Sequence, residues 1–276
     1  MISGSLMGGL GNQLFQIFAI IAYSIQNKQR FAFPETINNG NPKRPSYWDN
    51  FLSPLNNFTT ISFLQNKIVR EKGFEYNDLE SCLNDEHIYL DGYFQSYKYF
   101  EKYYDTICRL IGLKDQLNLA QLQYKENYAN YISMHFRLGD YKHLQNYHPI
   151  MPYEYYVNSL QYIINTTKKD NWTILYFCEK EDNEIVKITI NKLKIEFPNC
   201  KFKKNWDEVE DWKQMLIMSN CDHNIIANSS FSWWGAYFNQ NVDKIVCYPS
   251  LWFGPALADK NTKDLCPDKW IKISVE

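Results

Sequence analysis

From residue 131 onward, short apolar runs alternate with helical periodicities, and this alternation restricts the possible folds more than any other feature of the chain. The runs cover 131–136, 172–177, 200–202, 224–227 and 244–248. Between them, apolar residues recur at helical spacing over 153–164 (Tyr153, Tyr156, Val157, Leu160, Ile163, Ile164), 185–197, 209–219 and 231–240. Strand and helix alternating with short connections predict an α/β fold, with a parallel sheet covered on both faces.

The first half is less regular. Residues 2–7 read as a strand, a poor one because it contains Ser3, Gly4 and Ser5. Gly8-Gly9-Leu10-Gly11-Asn12-Gln13 then opens an apolar helix over 14–25, and a glycine turn in that place lets backbone approach a ligand. It is not the dinucleotide fingerprint, because Leu14 stands at the sixth position after Gly9 and Gly11. A nicotinamide dehydrogenase is disfavoured. Residues 31–68 are rich in Pro, Asn and aromatics and read as loops, and the acceptor-shaping segment is taken as 31–86. A strand at 88–91 runs into Gly92-Tyr93-Phe94-Gln95-Ser96 and then a helix to about 110, placing Asp91 and Gln95 where α/β sheets meet their ligands. The polar stretch 115–127 reads as an interdomain connection. It divides the chain into 1–127 and 128–276, a length that suits two domains.

Composition narrows the partners. A net charge of -2 gives no long-range attraction to nucleic acid or acidic membranes. Seven cysteines with no Cys-x-x-Cys pair argue against a zinc site and a disulfide framework and suit a reducing compartment. No Lys or Arg precedes Lys28, and the apolar run at 17–23 is too short to cross a bilayer. The expectation is a cytoplasmic protein without a membrane anchor.

Two segments carry the chemistry. His135-Phe136-Arg137-Leu138-Gly139-Asp140-Tyr141 ends the strand at 131–136, and the guanidinium of Arg137 fits two phosphate oxygens. A plain Arg137–Asp140 pair fixing a loop is the alternative. In the second segment a strand over 224–227 leads through Asn228, Ser229 and Ser230 into a helix starting at Phe231. That turn is either an ordinary helix cap or an anion site built from backbone N–H groups and hydroxyls. Trp233 and Trp234 read as core. Both segments lie at carboxyl ends of strands in one sheet, where they can hold a diphosphate jointly. The chain has no Asp-x-Asp, which would carry a metal to that diphosphate.

These motifs resemble the α-1,2-fucosyltransferase family (glycosyltransferase family 11). The matching residues are Gly8 to Gln13 with Phe15-Gln16, Gly92 to Ser96 with Lys98-Tyr99-Phe100, His135 to Arg137 with Gly139-Asp140-Tyr141, and His223 to Ala236. The resemblance implies a GT-B architecture, with two facing Rossmann-like domains and the active site in the cleft between them. It implies GDP-β-L-fucose as co-substrate, an oligosaccharide or glycoconjugate acceptor, inversion at the anomeric carbon, and no cofactor or metal. The C-terminal domain would bind the donor and the N-terminal one the acceptor. Gly11, Asn12, His135, Arg137, Asn228, Ser229, Ser230 and Phe231 would bind the donor, and Arg137 would grip the β-phosphate. Arg137, His135 and Asp140 are the expected catalytic group, with Asp91 and Gln95 on the acceptor side.

The chain departs from the family pattern in two places. Leu138 replaces a second Arg, and Phe177-Cys178-Glu179-Lys180 replaces a Phe-Ser-Asp-Asp segment similar to one that contacts the nucleoside in related enzymes. Transfer from another GDP-deoxyhexose, or a glycan- or nucleotide-binding module without turnover, are the alternative readings.

Overall fold

The computed structural model describes residues 1–35, 45–61, 67–81, 87–124 and 127–275. The acceptor-shaping segment 31–86 and the connection 115–127 therefore lie partly outside the described residues.

Two compact units divide the chain. The first is Met1–Gln116 with Lys260–Pro267; the second is Leu117–Asp259 with Asp268–Glu276. The return of 260–267 to the first unit has no signal in the sequence. In the structure Asp264 anchors that segment: Lys98 Nζ donates to Oδ1 at 2.5 Å, the Tyr76 N–H donates to Oδ2 at 3.2 Å, and Ser96 Oγ donates to the Asp264 carbonyl at 2.6 Å.

The first unit contains β1 (Ile2–Gly4), α1 (Leu10–Gln26), β2 (Phe33–Pro34), β3 (Thr59–Thr60), β4 (Lys67–Arg70), β5 (Ile88–Asp91) and α2 (Tyr104–Leu110), and α3 (Leu113–Tyr124) begins in it. Its main sheet is parallel, in the order β1-β5-β4, and β2 pairs with β3. β1 is shorter than the expected 2–7, and its poor strand residues have a use. A Cβ on Gly4 would lie 2.7 Å from the Leu90 carbonyl oxygen and 2.8 Å from Ile20 Cδ1, so glycine is what lets α1 approach the sheet. The polar stretch after Gly112 forms α3 rather than an open linker. Leu113, Leu117 and Ala120 are buried along one stripe, and the polar residues are its solvated face.

The second unit holds β6 (Tyr131–His135), α4 (Tyr153–Thr167), β7 (Thr173–Phe177), α5 (Asn183–Glu196), β8 (Lys201–Lys204), α6 (Asp211–Asn220), β9 (His223–Ile225), α7 (Ser230–Tyr237), β10 (Val246–Pro249) and β11 (Ile271–Ile273). All five strand pairings are parallel, in the order β8-β7-β6-β9-β10-β11. Counted from β6, that is the doubly wound order 3-2-1-4-5-6, which reverses between β6 and β9. The core on one face runs from Ile132 and Met134 through Tyr155, Leu160 and Ile163 to Val186, Ile190 and Leu193. On the other, Leu175 and Phe177 meet Ile217 and Met218 of α6. A buried polar chain ties β6, β9 and the end of α7 together: Asn224 Nδ2 donates to Ser133 Oγ at 2.7 Å, and Asn239 Nδ2 donates to Asn224 Oδ1 at 2.8 Å. Trp233 and Trp234 are fully buried, as their core reading expects. The expected strand over 224–227 ends at Ile225, and the expected helix over 231–240 occupies Ser230–Tyr237. β11 was not foreseen.

Candidate active site

The switch point between β6 and β9 is where an open parallel sheet leaves a crevice at its carboxyl edge. His135 is the last residue of β6, and Arg137 to Tyr141 follow it. Asn228, Ser229 and Ser230 follow β9. The fold thus brings the two chemically suggestive segments side by side within one unit, and Tyr141 ties them by donating its hydroxyl to the Asn228 carbonyl at 3.2 Å.

Arg137 is held from three directions. Nη2 donates to Asp140, Nη1 donates to Glu179 beyond the end of β7, and the guanidinium lies 4.9 Å from the centroid of the Tyr141 ring. Burial works against its charge, but the carboxylates of Glu179 and Asp140 outweigh it and hold its pKa above the ordinary range. The Arg137–Asp140 pair weighed from the sequence is present. Arg137 nevertheless stays 21 % exposed at the sheet edge rather than sealed in the core.

Beneath it, the turn is fixed by Asp182, whose side chain is 0 % exposed. Asp182 accepts the Gly139 N–H at 2.8 Å and Lys142 Nζ at 2.6 Å. Gly139 has φ +41, a region that favours glycine. His135 is 8 % exposed, and burial, then the Arg137 charge, push its pKa down to about 3. Its ring is therefore neutral at physiological pH, with its centroid 5.7 Å from that of Phe231. His135 Nδ1 is buried and has no hydrogen-bond partner within the protein.

Ser229 occupies the N-cap position of α7 in an extended conformation, yet its side chain makes no capping bond. Its hydroxyl is not spent on the helix in the way the simple cap reading requires. Ser230 is the first helical residue and Phe231 the second. Asn228 is 1 % exposed; its Nδ2 donates to the Pro149 and Trp252 carbonyls at 3.0 and 3.1 Å, while Oδ1 is buried without a partner.

In the first unit, Gly9 caps α1 without a side chain and Gly11 and Asn12 lie in its first turn. Gly8 has φ +77, and a Cβ there would lie 2.5 Å from Asn12 Nδ2. Gln13 Nε2 donates to the Gly8 carbonyl at 3.0 Å, and Gln16 binds both the N–H and the carbonyl of Met7. Gln95 Nε2 donates to Asn12 Oδ1 at 2.9 Å, so these two candidates are joined directly. Asp91 is placed otherwise. It pairs with the exposed Arg70, Nε to Oδ2 at 3.2 Å. Glu71, unmarked by the sequence reading, anchors the same loop by accepting the Tyr93 N–H at 2.8 Å, and burial raises its pKa.

Glu179 and Asp182 are the residues of the Arg137 turn that sequence reasoning missed. Glu179 was noticed only as a departure from a pattern, and Asp182 not at all. Their partners are about 40 residues distant, so no local spacing marks them. Among the described residues no three His, Cys, Asp or Glu side chains gather as a metal site needs, and no helix is long and apolar enough to cross a membrane.

Residues 49–273 match the pattern of the family described as "Glycosyl transferase family 11". The chain is 30 % identical to the O-antigen biosynthesis glycosyltransferase WbnK of Escherichia coli, covering 97 % of this chain and 99 % of that one. It is 26 % identical to an α-1,2-colitosyltransferase of Escherichia coli, covering 97 % of each. The crystal structure of a glycosyl transferase family 9 protein from Veillonella parvula superposes with a TM-score of 0.50 at 10 % identity, over 99 % of this chain and 86 % of that one, a likeness of fold alone.

Proposed function

The chain belongs to glycosyl transferase family 11, and from that premise we propose that it transfers a deoxyhexose from a GDP-sugar to a hydroxyl of an acceptor glycan. The specific case proposed is L-fucose from GDP-β-L-fucose to the 2-hydroxyl of a galactoside, with inversion and without a metal. One relative is named for colitosyl transfer, so a different GDP-deoxyhexose is the neighbouring reading. The reading carries with it the GT-B arrangement implied by the family resemblance, with residues 1–127 serving the acceptor and 128–276 the donor.

One observation supports it above the others. Arg137 and the uncapped Ser229 turn flank the strand-order reversal of a doubly wound sheet, the place where such sheets take phosphorylated ligands.

In the proposed reaction the acceptor hydroxyl attacks the anomeric carbon as the bond to the β-phosphate oxygen breaks, through an oxocarbenium-like state, with GDP as the leaving group and the hydroxyl proton passing to water. Negative charge grows on the β-phosphate. Arg137 and the N–H and hydroxyl groups of the Ser229–Phe231 turn, already fixed in place, stabilise that charge more in the transition state than in the ground state. Asp140 holds Arg137 in position. The neutral ring of His135 offers a hydrogen bond without adding a second cation beside Arg137.

GDP release from a panel of GDP-sugars, with and without a galactoside and with chelator present, tests the reading. Acceptor-dependent release in EDTA is expected. Binding without release would point to a module that has lost turnover, and activity restored only by a divalent ion would remove the metal-free mechanism.

A further inference from the structure

The guanidinium proposed to grip the diphosphate is already occupied. Its two terminal nitrogens donate to carboxylates from different loops, Nη2 to Asp140 and Nη1 to Glu179. A bidentate grip on phosphate uses the same parallel N–H bonds, so an arriving donor must displace at least one carboxylate. The two are not equivalent. Asp140 lies three residues from Arg137, on the turn that Asp182 pins through Gly139 and Lys142. Glu179 reaches over from the end of β7; its side chain is 51 % exposed against 49 % for Asp140, so what separates the two is the pinned turn that carries Asp140 and not their exposure. It heads the 3-10 turn Lys180–Asp182, where its carbonyl accepts the Asp182 N–H at 3.0 Å but its side chain makes no capping bond. Gly139 leaves the space it occupies: a Cβ there would lie 2.7 and 2.9 Å from the two Glu179 carboxylate oxygens. Glu179 is thus held by Arg137 and has water to move into.

We infer that Glu179 is a built-in competitor for the diphosphate, holding Arg137 in the empty site and giving way when the GDP moiety arrives. It sets the affinity for donor and for the GDP product without touching the reacting atoms, and so acts as a positioning residue. The inference rests on the proposed role of Arg137 as the diphosphate's cation. Its physical content is simple: one guanidinium face cannot serve a carboxylate and a phosphate at once, and Glu179, once released, turns out into water. The same competition favours release of GDP after each transfer.

Titration calorimetry of GDP with wild type, Glu179→Gln, Arg137→Ala and the double variant tests this. The Glu179→Gln change keeps the shape and removes the charge, and it is expected to tighten GDP by about 3- to 10-fold. In the Arg137→Ala background the gain should shrink below about twofold, because the group being competed for is gone. Inorganic pyrophosphate, competed against GDP, should show the same tightening. The inference is overturned if Glu179→Gln binds GDP no better than wild type, if the gain persists undiminished without Arg137, or if it appears with GDP but not with pyrophosphate, which would place Glu179 at the nucleoside. A separate result, Arg137→Ala binding GDP as well as wild type, would remove the functional reading itself.

Discussion

Breaking the Lys142–Asp182 pair from its two ends should cost the second unit different amounts, and the direction follows from burial. Asp182 is 0 % exposed and Lys142 33 %. Replacing Lys142 by methionine strands a carboxylate that keeps only the Gly139 N–H, with no route to water. Removing one partner of a buried pair costs about 3–5 kcal/mol, and the remaining hydrogen bond places this case near the lower end, about 3 kcal/mol. Truncating Asp182 to alanine strands an ammonium that already reaches solvent. The main loss is then the charge-assisted bond to Gly139, about 2 kcal/mol. The double variant, with no stranded charge, should cost about 2 kcal/mol, the loss of the Gly139 bond alone, rather than the sum of about 5. Urea unfolding followed by tryptophan fluorescence reads this out, because every tryptophan except Trp48 lies in the second unit. Strict additivity, or an Asp182→Ala cost above that of Lys142→Met by more than about 1 kcal/mol, would refute the burial argument. Both single variants should also weaken GDP binding, since Asp182 fixes the turn that carries Arg137.

Arg137→Ala is expected to raise the transfer barrier by at least about 3 kcal/mol, near two orders of magnitude in kcat/KM, because it removes the cation that meets the charge growing on the β-phosphate; a loss below about fivefold in steady-state assays would count against its role. His135 has a folded pKa lowered to about 3, so below pH 6.5 the unfolded chain binds a proton that the folded one refuses. Stability from this residue is complete above pH 6.5 and falls by up to about 1.4 kcal/mol per pH unit as the medium is acidified. His135→Gln should flatten the acid limb of thermal melts between pH 6.5 and 4.5, leaving the slope that His148 and His223, also lowered by burial, supply. Gly4→Ala should destabilise the first unit by about 2 kcal/mol or more, because its Cβ would meet a backbone carbonyl that cannot rotate away; unchanged hydrogen-exchange protection of β1 and α1 would show that the close approach is not needed.

Much of the second unit was legible in the sequence because its signals are local. Period and run length marked α4 to α7 and all strands but β11, whose three residues beyond a long irregular stretch give no periodicity to read; α3, whose stretch 115–127 read as a connection, was not marked. The Ser229 turn was legible as a place but not as a state. Only the structure distinguishes a serine that caps its helix from one that does not. In the first unit, Gln95 and Asn12 looked like separate features, the glycine turn and the strand end at 91, and the fold joins them by a hydrogen bond. Asp91 was marked for lying at that strand end, and its pairing with Arg70 in the neighbouring strand β4 carries no sequence signature.

By itself the amino-acid order determined the α/β class, the core aromatics and the identity of the groups able to meet a diphosphate, since periodicity, side-chain volume and charge are properties of neighbours along the chain. Tertiary structure alone decided the order of the strands, and with it the meeting of Arg137 and Ser229 at the reversal between β6 and β9. It decided also that Arg137 is shared with Glu179 and seated on Asp182. Such pairings depend on where distant strands end in space, and free energy of burial and charge sets that only once the sheet is assembled.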